Sequence, residues 1–277
     1  MDRKQKEIPM IQDIAPHHFD NHFDPSRRPD RDSRILYFRE ESLFLLPDFS
    51  FPAARDMKPA SGEYLFSLDG ISYFLSIDAP CLPEGRFLPM GKMRTTAAIP
   101  RVQVFLAWTA LQILRWIREN TYCGSCGNLL RPSPSERARI CPSCGRTIYP
   151  RLNPAVIAAV TWKDRLLLTR YAGRAISYYA LIAGFTEVGE TLEETVQREV
   201  LEETGLRVKN IRYYKSQPWA MASDILAGFF CEVDGSTDIV MDRTELKEAF
   251  WAEKKDIILQ PDDYSLTNEM MKVFKES

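Results

Sequence analysis

The sequence predicts an α/β (α+β) fold, with an α/β/α sandwich in the C-terminal half, a mostly-β domain before it and a cysteine-rich insert between the two. Three observations support this prediction. After Pro154, strand-like runs alternate with helical segments, which is typical of layered mixed folds. Short apolar runs fill residues 35–75, and four cysteines form two Cys-x-x-Cys pairs between these regions.

Composition indicates several folded parts. At 277 residues with 45% hydrophobic content, the chain is long enough for more than one core. We predict a polar N-terminal tail over 1–30, a mostly-β domain with a linking helix over 31–120, a metal-binding ribbon over 121–150 and the sandwich domain over 151–277.

Charge and hydropathy argue against two classes of protein. A net charge of −2 and a pI near 6.0 give no overall attraction to polyanions or to membrane surfaces. The longest apolar candidate, 102–114, is interrupted by Gln103, Thr109 and Gln112, and the charged N-terminus lacks an apolar signal core. We therefore expect no contact with membranes and a cytoplasmic location.

The N-terminal tail is polar, is broken by prolines and holds all three histidines. A histidine cluster can bind metal, but this composition favours a mobile or loosely docked segment. The apolar runs that follow predict four strands, and Asp69-Gly70 predicts a hairpin between the last two. The runs lie at 35–38, 43–46, 64–66 and 71–75.

Residues 102–120 predict the linking helix, because apolar side chains crowd one broad face. The apolar positions are Phe105, Trp108, Leu111, Ile113, Leu114 and Ile117. Trp108 and Trp116 could form an interface, but packing within the core or between domains is the favoured interpretation.

Two cysteine pairs, Cys123 with Cys126 and Cys141 with Cys144, are separated by fourteen residues, and a glycine follows each pair. Four thiolates at this spacing predict a closed tetrahedral Zn²⁺ site that stabilises the fold and leaves no position for a catalytic water. The segment is also locally basic, which leaves nucleic-acid binding open as an alternative. The basic side chains are Arg131, Arg137, Arg139, Arg146 and Arg151.

Strand patterns after Pro154 lead to a helix with a cap at each end. Thr191 and Glu194 have capping-box spacing and Gly205 suits a left-handed C-cap, so a helix of three to four turns is predicted between them. The predicted strands are 155–161, 165–169, 180–185, 208–214, 225–233 and 249–252, and a final helix is predicted at 266–275.

The capped helix has an apolar face and an acidic face. Its core positions are Leu192, Val196 and Val200, whereas Glu199, Glu202 and Glu203 project together. A solvated helix face tolerates such repulsion at a few tenths of a kcal/mol per pair, roughly. The alternative is that a hard divalent cation such as Mg²⁺ or Mn²⁺ binds the carboxylates.

The complete pattern favours the cation. Gly184, Glu190, the run Arg198-Glu199-Val200, the pair Glu202-Glu203 and Gly205-Leu206 have the spacing of the Nudix box, so the chain resembles a Nudix hydrolase. The resemblance implies the Nudix α/β/α sandwich and Mg²⁺- or Mn²⁺-dependent cleavage of a nucleoside diphosphate linked to another group. Such cleavage requires charge neutralisation on the phosphoryl oxygens and a positioned water.

The same resemblance implies roles for individual residues. Glu199 and Glu203 are implied metal ligands, and Glu202 is a further ligand or the base that acts on water. The carbonyl of Ala183 would complete the metal sphere. Arg198 and Glu190 are expected to brace the loop against the helix.

The run Ser216-Gln217-Pro218-Trp219, with the four-cysteine ribbon upstream, resembles the NADH pyrophosphatase family of Nudix hydrolases over 122–251. Members split NAD(H) into AMP and nicotinamide mononucleotide, can remove NAD caps from RNA and are typically homodimers. The resemblance adds Glu245 to the metal cluster. It places these residues near substrate: Arg94, Glu136, Tyr149, Phe185, Gln217, Pro218, Trp219, Ala220, Met221, Ala222, Ser223, Asp224 and Thr267.

Phe185 and Trp219 become candidates for stacking on a substrate ring, although pattern alone would make Phe185 a core residue and Trp219 a turn aromatic. The family's Pro-Phe-Pro after the tryptophan is Ala220-Met221-Ala222 here, and its following serine is Asp224. Two rival functions remain. One is a Nudix hydrolase for ADP-ribose or a dinucleoside polyphosphate, and the other is a zinc-ribbon nucleic-acid-binding regulator with a degenerate Nudix fold.

Overall fold

The computed structural model describes residues 10–58, 61–173, 178–261 and 264–277, and the chain divides into two compact units. The first unit is Asp13–Arg151. The second is Leu152–Ser277 together with the described part of Met1–Gln12. Residues 1–9 of the predicted tail lie outside the described residues. No helix in the described ranges is long and apolar enough to span a bilayer.

The first unit is built on a six-stranded sheet in the order β1-β4-β5-β2-β3-β6. Its strands are β1 (Phe19–Asp20), β2 (Arg34–Arg39), β3 (Ser42–Leu45), β4 (Glu63–Leu68), β5 (Ile71–Ser76) and β6 (Arg86–Pro89). A 3-10 turn at Ala54–Asp56 and helices α1 (Met90–Met93) and α2 (Arg101–Glu119) complete this part. The four predicted strands are therefore present as β2 to β5.

Local signals account for these elements. Asp69 and Gly70 have positive φ angles of 51° and 81°, as a tight two-residue hairpin between β4 and β5 requires. In α2, the buried face is centred on Val104, Ala107, Trp108, Leu111 and Leu114 at helical spacing. Phe105, Ile113 and Ile117, which we placed on the apolar face, are half-buried at its margins.

The predicted loose tail differs from the structure over residues 10–30. Phe19 pairs with Leu68 at the edge of the sheet, and its ring lies 5.1 Å from Phe66 and 5.0 Å from Phe105. Met10 and Ile11 are buried at 4% and 6% exposure. Single apolar residues spaced along a polar, proline-rich stretch produce no periodic signal, yet each one covers apolar surface.

The cysteine-rich segment also belongs to the first unit and forms a three-stranded sheet in the order β7-β8-β9. Its strands are β7 (Arg131–Pro132), β8 (Arg139–Ile140) and β9 (Thr147–Ile148). Cys123, Leu130 and Cys141 make a small core, with Ile148 packed against it. Such a core is too small to fold unaided, which is the usual reason for a metal in a ribbon.

The second unit contains a mixed sheet in the order β13-β14-β10-β11-β15, with β12 paired to β10. β10 and β14 run parallel, and the other pairs are antiparallel. Its elements are β10 (Asn153–Trp162), β11 (Arg165–Tyr171), β12 (Ile182–Phe185), α3 (Leu192–Thr204), β13 (Val208–Trp219), β14 (Asp224–Val233), β15 (Leu246–Glu253), a 3-10 turn (Lys254–Asp256) and α4 (Leu266–Glu276).

One helix covers each face of this sheet. Val196 and Val200 of α3 pack with Val156, Ala158 and other residues on one face. Leu266, Met270, Met271 and Phe274 of α4 pack with residues of the opposite face, including Ile157 and Ala159. Neighbouring residues of β10 thus face opposite layers, as the alternation of a strand requires. The predicted α/β/α sandwich is confirmed.

Candidate functional site

The helix α3 has the caps that its sequence predicts. The Thr191 side chain accepts a hydrogen bond from the Glu194 backbone amide, and the Glu194 carboxylate accepts one from the Thr191 amide at 2.8 Å. Gly205 ends the helix at φ 70°. The caps fix where α3 begins and ends, and the packing of Val196 and Val200 on the sheet fixes which side of the helix carries the carboxylates.

Glu199 is seated directly against the backbone of β12. A Cβ atom added to Gly184 would lie 2.0 Å from Cδ of Glu199, so the carboxylate occupies the space that any side chain would need. Burial raises the pKa of Glu199, Arg198 opposes this increase, and repulsion from Glu202 and Glu245 adds to it. The charge of Glu199 therefore depends on Arg198, Glu202 and Glu245 as well as on its own burial.

Glu203 lies one helical turn further along the same helix and is 2% exposed. Its backbone carbonyl accepts a hydrogen bond from Asp242, which ties α3 to the segment that leads to Glu245 and β15. The carbonyl of Glu245 accepts a hydrogen bond from Ala172 at 2.8 Å. Burial of a carboxylate is costly unless a partner or a cation compensates its charge.

Arg198 connects the loop to the carboxylates. It donates to both oxygens of Glu190, through Nε at 2.6 Å and Nη2 at 2.9 Å, and to the carbonyl of Phe185 at 2.8 Å. Nη1 donates to Glu199 at 2.7 Å and to Glu202 at 3.0 Å. Hydrogen bonds from Arg198 and Glu187 lower the pKa of Glu190 to about 2. The loop before α3 is thus held to the helix by one guanidinium group.

The donor set suits a hard divalent cation. Glu199, Glu203 and Glu245 offer carboxylate oxygens, which Mg²⁺ and Mn²⁺ prefer. Glu199 and Glu203 lie one helical turn apart on α3, and the Glu199 carboxylate fits against β12 only because Gly184 has no side chain. Among the described residues, the four cysteines form the compact group of metal-ligating side chains, and these three carboxylates do not form such a group.

Ala183 lies in β12, and a tyrosine from β11 holds its position. The Ala183 amide donates to the Tyr171 hydroxyl at 3.0 Å, and that hydroxyl lies 3.4 Å from the Ala183 carbonyl oxygen. Tyr171 was not among the predicted site residues. Its role follows from strand register, and no motif in the sequence indicates it.

The opposite face of the sheet carries the predicted ring-binding residues. Phe185 is 51% exposed at the end of β12, and Trp219 is half-buried at the end of β13. Gln217, two residues before Trp219 on β13, is fully buried; its side chain donates to the Tyr264 carbonyl and accepts from the Leu266 amide, both at 2.8 Å. These bonds fix the start of α4, whose first turn contains Thr267, beside β13.

The turn after Trp219 connects β13 to β14. Ala222 donates from its amide to the Trp219 carbonyl at 3.2 Å, and Ser223 has a positive φ of 61°. Pro218 and Ala222 are exposed, whereas Ala220, Met221 and Ser223 are half-buried. Asp224 follows at the start of β14 and is 5% exposed.

The four predicted zinc ligands come together in the first unit. The Sγ atoms of Cys123 and Cys144 are 3.6 Å apart, those of Cys126 and Cys141 are 3.4 Å apart, and all four lie within 4.8 Å of one another. Hydrogen bonds from Asn128 lower the pKa of Cys126 to about 6. Gly127 and Gly145 both have φ 74°, so each glycine allows the knuckle to close behind its cysteine pair.

The remaining predicted substrate residues also belong to the first unit. The Tyr149 hydroxyl donates to Glu136 at 3.0 Å, and this contact raises the pKa of Tyr149. Tyr149 is 57% exposed. Arg94 forms the C-cap of α1. Glu136 and Tyr149 are thus adjacent, which their separation of thirteen residues in sequence did not indicate.

Two of the five ribbon arginines face the protein interior. Arg139 is 6% exposed, donates to Glu63 at 2.6 Å and stacks on Trp116. Arg137 donates to the Leu65 carbonyl, and burial lowers its pKa. These side chains stabilise the first unit and are not available for a phosphate backbone, so the basic surface is smaller than the sequence indicates.

Two family models match the chain. A NUDIX domain matches residues 151–274, and an NADH pyrophosphatase zinc ribbon domain matches residues 118–149.

Curated relatives match roughly two thirds of the chain. A Shigella boydii serotype 18 protein named NAD-capped RNA hydrolase NudC is 40% identical over 172 residues, which are 62% of this chain and 66% of that protein. The match thus spans just under two thirds of that relative's length. A protein of the same name from Enterobacter sp. (strain 638) is 38% identical over 180 residues, covering 65% of this chain and 69% of that protein. A NUDIX hydrolase structure from Nitrosomonas europaea aligns with a TM-score of 0.49 and 24% identity, over 56% of this chain and 91% of that one.

Proposed function

This chain belongs to the Nudix family and carries the zinc ribbon of NADH pyrophosphatases, and from this premise we propose that it hydrolyses the pyrophosphate of NAD(H) to AMP and nicotinamide mononucleotide. The reaction depends on Mg²⁺ or Mn²⁺ held by α3 and its neighbours, and Zn²⁺ in the ribbon has a structural role.

The position of Phe185 is the observation that carries this proposal. Its carbonyl accepts the hydrogen bond from Arg198, which also binds Glu199 and Glu202. Its side chain belongs to the other face of the sheet, the face that Trp219 shares. A dinucleotide whose ring stacks near Phe185 therefore has its pyrophosphate at the carboxylate cluster, around the end of β12.

The chain's own groups define the proposed chemistry. Glu199, Glu203, Glu245 and the Ala183 carbonyl would hold the catalytic metal, which when bound neutralises charge on the phosphoryl oxygens and activates water. Glu202 is 60% exposed and has one described partner, Arg198, so it is free to contact a water on the solvent side. Arg198 and Glu190 keep the loop and helix in register during the reaction.

NAD-capped RNA is a second proposed substrate, because the relatives at about 40% identity are named NAD-capped RNA hydrolases. The turn Ala220-Met221-Ala222 supports a broader substrate range. It has no aromatic ring, and an additional stacked ring contributes on the order of 0.5–1.5 kcal/mol beyond its buried area. ADP-ribose and dinucleoside polyphosphates are the competing substrates.

We also propose that the protein works in the cytoplasm as a homodimer, with NAD(H) or NAD-capped RNA as partners and no membrane association. Paired Cys-x-x-Cys units favour zinc in a reducing compartment. Sedimentation analysis tests the assembly, because a 31.9 kDa species at micromolar concentration would contradict the dimer.

Product analysis tests the proposed function. The purified protein is incubated with NADH, NAD⁺, ADP-ribose and a diadenosine polyphosphate, with Mg²⁺, Mn²⁺ or chelator. We expect AMP and reduced nicotinamide mononucleotide from NADH, and no turnover with chelator. Exclusive cleavage of ADP-ribose would contradict the NAD(H) assignment, and no turnover of any nucleotide would contradict a hydrolytic function.

A further inference from the structure

Strand register places an acidic side chain between the two proposed ring-binding residues. Asp224 of β14 pairs with Trp219 of β13 on one side and with Asn153 of β10 on the other. Directly paired residues project to the same face of a sheet, so all three share a face.

Phe185 is on this face as well. It pairs with Ala155, two residues beyond Asn153 on β10, and residues two apart on a strand project to the same side. Leu226, two residues beyond Asp224, packs with the core beneath α4, which identifies the face. Phe185 and Trp219 therefore lie on the two strands that flank β10 and β14. These two strands are about 14 Å apart across the sheet, and the two residues are also offset by two positions along the strands. Asp224 lies on β14, in the part of the sheet between these two strands, which we call the floor of the site.

The surroundings of Asp224 do little to stabilise a negative charge on its carboxylate. The residue is 5% exposed, and among the described residues its Oδ1 atom has no hydrogen-bond partner. Burial raises its pKa to about 6, and a hydrogen bond from Asn153 partly opposes this increase. The carboxyl group is therefore ionised at neutral pH, in a site from which most water is excluded. Such a group favours a ligand that brings positive charge.

Resting on the proposed function, we infer that Asp224 makes this site selective for the oxidised, positively charged pyridinium ring of NAD⁺ over the neutral dihydropyridine ring of NADH. NAD⁺ and NADH differ by one charge, which lies on the nicotinamide ring. Attraction between that charge and the Asp224 carboxylate therefore favours NAD⁺, whereas contacts with the AMP half, which both share, do not distinguish the two. A cationic ring is also favoured against the face of an aromatic side chain, which adds to the same preference.

The test compares kcat/KM for NAD⁺, NADH and ADP-ribose in the wild-type chain, in Asp224→Asn and Asp224→Ser, and in Asp164→Asn. Asp164 is an exposed aspartate in the turn between β10 and β11, so its variant has the same change in charge away from the floor. We expect both Asp224 variants to lower the NAD⁺/NADH ratio of kcat/KM, chiefly through KM, on the order of tenfold. Asp164→Asn should leave the ratio unchanged.

The outcomes separate the inference from the proposed function. Hydrolysis of neither dinucleotide by the wild-type chain would overturn both. Hydrolysis of both with a ratio that stays within twofold in the Asp224 variants would overturn the inference and leave the proposed function intact. An equal loss on all three substrates would also overturn it, because that result indicates an adenine ring or a structural role. Calorimetric binding of oxidised and reduced nicotinamide mononucleotide provides a readout that does not require turnover, and equal affinities in the wild-type chain would again contradict the inference.

Discussion

At the scale of single residues, the acidic cluster depends on a balance between burial and charge. Glu203 is almost completely buried, whereas Glu202, its neighbour in sequence, is 60% exposed. Arg198 compensates Glu190, Glu199 and Glu202 together. Identical side chains on one helix therefore occupy different environments, which suits one for holding a cation and the other for contact with water.

Replacing Glu203 with Gln tests the first of these roles. The change is isosteric and removes one anionic group from the proposed metal site, where catalysis would be electrostatic, so turnover should fall by several orders of magnitude while the fold is retained. Steady-state kinetics with NADH at saturating Mn²⁺, together with circular dichroism, measures both. Glu193→Gln, at an exposed position in the first turn of α3, is the control. Near-normal activity of Glu203→Gln would remove this residue from the metal site.

Gly184→Ala tests the contact between β12 and α3. The new methyl group would lie 2.0 Å from the Glu199 carboxylate carbon, so the Glu199 side chain must move away from β12. We expect the Mn²⁺ concentration for half-maximal activity to rise about tenfold or more, since precise ligand placement governs metal affinity. Gly91→Ala is the control, because a methyl group there meets no atom within 4 Å. An unchanged Mn²⁺ titration would show that Glu199 is not a ligand from this position.

Asp224→Asn should change stability in a pH-dependent way. Burial raises the pKa of Asp224 from 3.8 to about 6 in the folded chain. Between these values the folded state binds more protons than the unfolded state, so this group lowers the free energy of unfolding as pH rises through that window. We therefore expect the variant to raise Tm at pH 8 and to change it less at pH 4, by calorimetry. An equal shift at both pH values would indicate that Asp224 does not titrate as described.

At the scale of elements, the ribbon depends on four thiols around a core of three buried residues. Structural zinc supplies folding free energy directly in such segments. We expect one tightly held Zn²⁺ per chain, and we expect Cys123→Ser to lose zinc and to lower the Tm of the first unit. Metal analysis and calorimetry test this, with Cys81→Ser as the control because that exposed thiol lies outside the cluster. Zinc-free wild-type protein with four freely titratable cysteines would contradict the prediction.

Elements with local signals were predictable from the sequence, and contacts between distant segments were not. Thr191, Glu194 and Gly205 determine both ends of α3 by bonds within a few residues, so the prediction was close. The strand β13 continues to Trp219, five residues beyond the predicted 208–214, because its pairing with β14 tolerates Pro218 at an exposed position. The sequence likewise identified the glutamates through their fixed spacing on one helix.

The resemblance placed Trp219 and Asp224 near substrate, but their arrangement on the proposed ring-binding face could not be predicted, for the same reason. Asn153, Asp224 and Trp219 become neighbours through the parallel pairing of β10 with β14 and the antiparallel pairing of β14 with β13. Neither register can be read from one strand at a time. Tyr171 supports Ala183 through a comparable contact between strands.

At the scale of the whole molecule, the second unit is discontinuous in sequence. Met10 packs in the core beneath α4, and Gln12 accepts a hydrogen bond from Gln217 at 3.2 Å. We expect Met10→Ala to destabilise the second unit by about 2–5 kcal/mol, the usual effect of removing a buried methionine side chain. Thermal unfolding followed by hydrogen exchange on α4 measures this. Ile258→Ala, at a 67% exposed position of the same unit, is the control, and equal effects of the two variants would contradict the packing of Met10.

The contact between Gln12 and Gln217 also sets an order of events during translation. The two residues are 205 positions apart. At about 5–20 residues per second, a ribosome needs roughly 10–40 s to synthesise the segment between them. The core partners of Met10 begin at Ile157, so Met10 lacks them while the whole of 13–151 is synthesised and can fold. We expect a nascent chain that is stalled before Ile157 to expose the Met10 side chain, which would then be an early site for chaperone contact.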